Sequence, residues 1–178
     1  MKNLILFLAL SFASAALAQT PPPPPSALFS CSTDAVAVRI GGQTNPGTDV
    51  GCSFNVKSTF AVESHNLLTP GNGAQDYLGG VSWTPNISSL VTKTNIPKNT
   101  FQPFLHAAVG IARTVPAIGP SAQHYGAFAG GGFRYDPTGS GKFSITLARI
   151  DWYNHPGAGP HPNGLLFSAG LTVVLGSK

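Results

Sequence analysis

The sequence predicts an all-β chain folded as an eight-stranded antiparallel up-and-down transmembrane β-barrel. Three observations lead there: an apolar leader that marks export, a succession of short segments alternating with period two, and a charged fraction of only 9%. Ordinary soluble domains carry about 25% charged residues. An outer surface turned to lipid explains the deficit. Beyond the leader, Gly, Pro, Ser and Asn interrupt every apolar stretch before it reaches the ~20 residues a spanning helix needs. Any membrane passage therefore falls to strands.

Residues 1–18 read as a signal peptide. Lys2 gives the positive start, Leu4 to Leu10 the apolar run that continues through Phe12 to Leu17, and Ala16-Leu17-Ala18 the small-x-small cleavage pattern. Cleavage is expected before Gln19; removing 18 of 178 residues leaves 160, enough for one domain. Taking Lys2 from ten basic residues leaves nine against six acidic ones, a net +3. The basic residues are scattered and form no phosphate-binding stripe, so nucleic acid is not expected as a partner. Residues 19–30 contain the Pro21–Pro25 run and read as a stiff, extended spacer. The barrel is assigned to 31–178.

Eight strands are expected at about 34–42, 49–57, 59–68, 75–84, 100–114, 122–135, 142–154 and 164–176, separated by turn-rich clusters. Of the eleven prolines after the spacer only Pro103 falls inside one of them. The first strand sets Val36, Val38 and Ile40 on a lipid face against Arg39 toward the lumen. The third sets Phe60 and Val62 against Glu63 and His65, and the fifth Leu105, Val109 and Ile111 against Gln102, His106 and Thr114. In the sixth, Tyr125, Ala127, Ala129, Gly131, Phe133 and Tyr135 share one face, with aromatics at both ends as two membrane interfaces require. The seventh breaks step: Phe143, Ile145 and Leu147 share parity with Arg149, Asp151 and Tyr153. A bulge near Leu147 is the favoured reading, an apolar lumen the alternative. The eighth alternates cleanly, with Leu165, Phe167, Ala169, Leu171, Val173 and Leu175 on one face.

An even strand count returns both ends of the barrel to the periplasm. The outer loops are then 43–48, 69–74, 115–121 and 155–163, and the periplasmic turns are 58 and 136–141, with a longer connection at 85–99.

Residues 101–178 resemble a known group. Phe101-Gln-Pro-Phe-Leu-His-Ala-Ala-Val-Gly110, Ala127-Phe-Ala-Gly-Gly-Gly-Phe133, Ile150-Asp-Trp-Tyr153 and Leu166-Phe-Ser-Ala-Gly-Leu171 are similar to segments of the small bacterial outer-membrane β-barrel family, with its OmpA-type and OmpX-type domains. The resemblance implies residence in the outer membrane among its lipids. It also implies recognition of the last strand by the barrel-assembly machinery through Ser168, Gly170, Val173 and Leu175. That family commonly ends on an aromatic residue, whereas this sequence ends Leu175-Gly-Ser-Lys178.

A polar network of Arg39, Glu63, His106, Arg134, Arg149 and Asp151 is expected in the lumen, because an eight-stranded bore is filled by its own side chains and buried charges need partners. Its role is structural, with an ion path as the functional alternative. No catalytic residue, cofactor or metal is assigned. A lipid-modifying hydrolase would need a nucleophile beside His106, and Ala107 and Ala108 follow it. His155 and His161 would hold zinc or copper only if a third ligand such as Asp151 joined them; an exposed turn is the simpler reading. Cys31 and Cys52 would normally pair in an oxidising compartment. A hairpin turning at 43–48, however, places Cys52 opposite residue 39, about 26 Å along the strand from Cys31 at ~3.3 Å per residue, so both thiols are expected free unless the first hairpin turns elsewhere. A soluble secreted β-barrel or sandwich binding module, with Asn86-Ile-Ser88 as a glycosylation acceptor, is the competing class. The function expected is a structural or surface-interaction role in the outer membrane.

Overall fold

The computed structural model describes residues 29–40, 42–56, 59–70, 74–85, 101–114, 121–138, 142–155 and 163–175. They form β1 (Phe29–Ile40), β2 (Gln43–Asn55), β3 (Phe60–Thr69), β4 (Ala74–Trp83), β5 (Phe101–Thr114), β6 (Ala122–Tyr135), β7 (Phe143–Asn154) and β8 (Asn163–Leu175). Each strand pairs antiparallel with its neighbour in sequence, and β1 closes on β8. The barrel is therefore closed and up-and-down, as expected. The leader, spacer residues 19–28, Asn86–Ser88 and most of the 85–99 connection lie outside the described residues.

Phe29 and Leu175 are partners across the closing seam, so both ends of the barrel chain lie at one end, here the terminal end. The 41–42 turn marks the far end. The shortest strands, β3 and β4, have 10 residues. At ~3.3 Å per residue and a tilt of about 40°, such a strand rises roughly 25 Å, the height of an outer-membrane apolar band.

Alternation decides what each strand shows to the outside. Val62, Val81, Val109, Ile150 and Leu171 are all about half exposed or more, while their neighbours on the other face are buried or half-buried. Aromatic rings frame this apolar belt. Phe60 stacks with Trp83 and Phe101 with Phe133 toward the terminal end. Tyr77 and Tyr125 flank Ile111 toward the far end.

β7 changes phase at a bulge. Phe133 pairs with Ala148 and Arg134 with Thr146, so Leu147 is skipped on the β6 side. Both Leu147 and Ala148 are exposed, and Thr146 and Arg149 on either side are buried. The bulge puts Arg149, Asp151 and Tyr153 inside, although they share parity with the outward-facing Leu147.

The first hairpin differs from expectation. Ile40 pairs with Gln43, so only residues 41 and 42 connect the strands, and Gly42 takes a φ of +83°. A two-residue turn with positive φ suits Gly and matches the twist of the flanking strands. The expected turn at 43–48 is strand. Pro46 lies within it, opposite Ala37, but β2 pairs with β3 only from Thr48 onward. At that position β2 has one neighbour, where a missing amide is tolerated. The shorter turn moves Cys52 from residue 39 to Cys31, with α-carbons 4.0 Å apart, and the two form a disulfide. The expectation of free thiols is overturned.

The face of β1 is corrected as well. Val36, Val38 and Ile40 are buried and Arg39 is exposed. Arg39 sits one residue from the far end, where its long side chain can reach water past a lipid boundary. The branched apolar residues meet Leu67, Leu78, Phe128, Tyr153 and Leu166 inside the barrel.

The disulfide yields a prediction. The denatured, unreduced protein should take up no maleimide, and two equivalents after reduction. Replacing both cysteines by serine opens a link spanning 21 residues, which should cost roughly 3 kcal/mol in urea unfolding from detergent micelles. Maleimide labelling without reduction would contradict the pairing.

Candidate functional site

The most distinctive chemistry lies in the middle of the lumen. Asp34 (β1), Asp49 (β2), Glu63 and His65 (β3), His106 (β5), and Arg149 and Asp151 (β7) are all buried. Each takes its inward direction from strand alternation, and the bulge supplies the phase for the β7 pair.

Six of them close into a ring of contacts. His65 Nδ1 lies 2.9 Å from Asp49 Oδ2, and its Nε2 lies 3.2 Å from Glu63 Oε1. Glu63 Oε1 is also 2.9 Å from His106 Nδ1, and His106 Nε2 is 2.8 Å from Asp151 Oδ1. Arg149 donates through Nε to Asp151 Oδ2 at 2.5 Å and through a terminal nitrogen to Asp49 Oδ2 at 2.6 Å, which completes the circuit. Asp34 attaches from outside the ring, with its Oδ2 3.6 Å from the same guanidinium and 3.4 Å from the Ser168 hydroxyl that donates to it.

Charge counting constrains this arrangement. Asp34, Asp49, Glu63 and Asp151 carry four negative charges when ionised, and Arg149 returns one. Arg134, stacked 4.2 Å above the Phe104 ring centre, adds a second positive charge nearby. Carboxylates thus outnumber guanidiniums four to two in this cluster, and both His106 nitrogens face carboxylate oxygens.

Aromatic walls and glycines shape the space. Phe128 contacts His65 and His106 with ring centres 4.9 and 5.0 Å away, and the Arg149 guanidinium lies 4.7 Å over its face. Gly130 pairs with Asp151, and a β-carbon there would fall 2.3 Å from Asp151 Oδ1. Gly170 stands in the same relation to Asp34, at 2.1 Å from Oδ1. Glycine at these two positions leaves room for the carboxylates.

A second group sits toward the far end. The Tyr153 hydroxyl donates to Asp76 Oδ2, and His155 Nε2 lies 3.3 Å from Asp76 Oδ1. His155 is thus a buried partner of Asp76 rather than part of an exposed turn, and Asp151 is engaged by His106 and Arg149. His161 lies outside the described residues.

Of the residues expected in the network, the structure brings Glu63, His106, Arg149 and Asp151 into one ring. It places Arg134 beside the ring on Phe104, and Arg39 on the outer surface. Sequence reasoning put His65 on the polar face without giving it partners, and it missed Asp34, Asp49 and Asp76. Asp49 was hidden by the misplaced turn. Asp34 was hidden by sharing a face with Val36 and Val38, which had been assigned to lipid.

A closed eight-stranded up-and-down barrel with an apolar belt outside and charges inside has the architecture of a small transmembrane β-barrel. Comparison with solved structures agrees on the fold. Neisserial surface protein A matches with 13% identity and a TM-score of 0.51, over 86% of this chain and all of that one. The N-terminal β-barrel domain of Pseudomonas aeruginosa OprF matches with 13% identity and a TM-score of 0.50, over 84% of this chain and 99% of that one. No protein-family model matches the sequence. No curated protein matches it either.

The ring predicts unequal costs for two arginines. Arg149→Met would strand Asp49 and Asp151 without their guanidinium and should lower stability by about 3–5 kcal/mol. Arg39→Met, on the exterior, should change it by less than about 0.5 kcal/mol. Equal shifts in the two denaturation midpoints would argue against a cross-bracing ring.

Proposed function

We propose that this chain is a bacterial outer-membrane barrel with a side-chain-filled lumen, a structural or surface-interaction role, and no catalytic activity. The observation that carries the reading is the inverted polarity: half-exposed apolar side chains circle the outside while Asp34, Asp49, Glu63, Asp151 and Arg149 are buried inside. A soluble binding barrel would turn its apolar face inward and its charges to water, so the competing soluble class loses support.

Two layers block the bore. The ion-pair ring crosses its middle, and Val36, Val38, Ile40, Leu67, Leu78, Phe128, Tyr153 and Leu166 pack on the far side of it. The hydrolase reading is weakened by His106, whose two nitrogens are both taken by carboxylates and leave none to activate a hydroxyl. Membrane insertion would follow recognition of β8. Ser168 and Gly170 lie on its inner face, and Val173 and Leu175 lie on its exposed face.

Two measurements test this. The purified protein should require detergent to stay monodisperse and should migrate faster on gels when unheated. In planar bilayers it should give no steady current. Monodisperse behaviour in plain buffer would overturn the membrane assignment, and long-lived openings of porin size would overturn the filled lumen.

A further inference from the structure

We propose that Glu63, His65 and His106 form a buried binding site for a zinc-class divalent metal ion within the lumen. All three side chains are buried, and their ligating atoms lie within 4.8 Å of one another. Glu63 Oε1 is the shared corner, 3.2 Å from His65 Nε2 and 2.9 Å from His106 Nδ1. Zinc bonds to imidazole nitrogen and carboxylate oxygen run ~2.0–2.2 Å, so tetrahedral ligands stand roughly 3.3–3.5 Å apart. Opening these two contacts by a few tenths of an ångström brings both to that spacing, and the remaining side, between the two imidazole nitrogens, lies within 4.8 Å.

Three further observations point to a metal rather than to ion pairing alone. First, His65 Nε2 has no hydrogen-bond partner although the residue is 8% exposed, and it faces Glu63. Second, each imidazole is held through its other nitrogen by a carboxylate: Asp49 at His65 Nδ1 and Asp151 at His106 Nε2. That carboxylate–histidine–metal relay orients ligating histidines and raises their basicity. Third, the four carboxylates Asp34, Asp49, Glu63 and Asp151 stand against two guanidiniums, and a divalent cation adds positive charge where carboxylates are in excess. Phe128, beside both imidazoles, and Phe104, beside His106, supply an apolar wall. Imidazole and carboxylate donors in this setting suit zinc and its neighbours rather than calcium or magnesium, which take oxygen ligands.

The test uses the full-length mature protein without a histidine tag, folded in detergent, treated with chelator and titrated with cobalt(II) chloride. Visible d–d absorption should saturate at one equivalent per chain and disappear on addition of zinc. His65→Gln and His106→Gln should each abolish it, and Asp49→Asn should weaken binding about 10–100-fold. Should the histidine variants fail to fold, ¹⁵N-imidazole spectra of the zinc-treated wild-type protein decide the matter. One ring should be metallated through Nε2 and another through Nδ1, the asymmetric pair this geometry requires. Absence of saturable cobalt uptake would overturn the proposal. So would uptake that survives His65→Gln, or two rings bound through the same type of nitrogen.

Discussion

Closure of the sheet is the constraint from which the rest follows. Eight strands close around a bore narrow enough for their own side chains to fill, and closure pairs each strand on both sides over most of its length. Every inward position must therefore satisfy itself against other inward positions. Asp34 and Asp151 illustrate this. Each is buried, and each meets the guanidinium of Arg149, which is two residues from one in sequence and far from the other. A charge in such a place is tolerable only when its partners converge from several strands.

The ring meets that demand by linking strands that share no backbone hydrogen bonds. Arg149 on β7 reaches Asp49 on β2, and His106 on β5 joins Glu63 on β3 to Asp151 on β7. The backbone ladder holds each strand to its two neighbours. The ring adds contacts across the bore, and the cluster of Val36, Val38, Ile40, Leu67, Leu78, Phe128, Tyr153 and Leu166 packs beside it. The glycines at 130 and 170 belong to the same economy of space, because they let carboxylates on the paired strand lie flat against the wall.

Most of this architecture was legible in sequence because alternation is a local property. The strands from β3 onward were placed within about a residue of their observed bounds, and the faces of β3, β5, β6 and β8 were assigned correctly. The first hairpin was not, and the cause is specific. Asn45-Pro46-Gly47 carries a strong turn signal, and Gly41-Gly42 a shorter one. Choosing between them depends on whether β3 extends far enough to need the amide that Pro46 lacks, which is a fact about a third strand. The misplaced turn then separated two cysteines that are direct partners. The β1 error has a different origin. Arg39 was read as the polar mark of an inner face, but near a strand end a charge can sit outside. Bulk was the better guide: Val36, Val38 and Ile40 fill the lumen, and small Ala35 and Ala37 share the outer face with Arg39.

The bulge shows how much can hang on a single residue. Without it, strict alternation would carry the outward phase of Leu147 through to Arg149, Asp151 and Tyr153, putting two charges into the apolar belt. With Leu147 and Ala148 both outside, the same strand delivers apolar residues to the exterior on one side of the bulge and ring members to the lumen on the other. Arg149 lies immediately after the bulge and Asp151 two positions later, so one guanidinium can bind Asp151 along its own strand and still project across to Asp49. The irregularity that made the seventh strand hard to read as a simple β-segment is therefore what brings the ring's only arginine into the lumen.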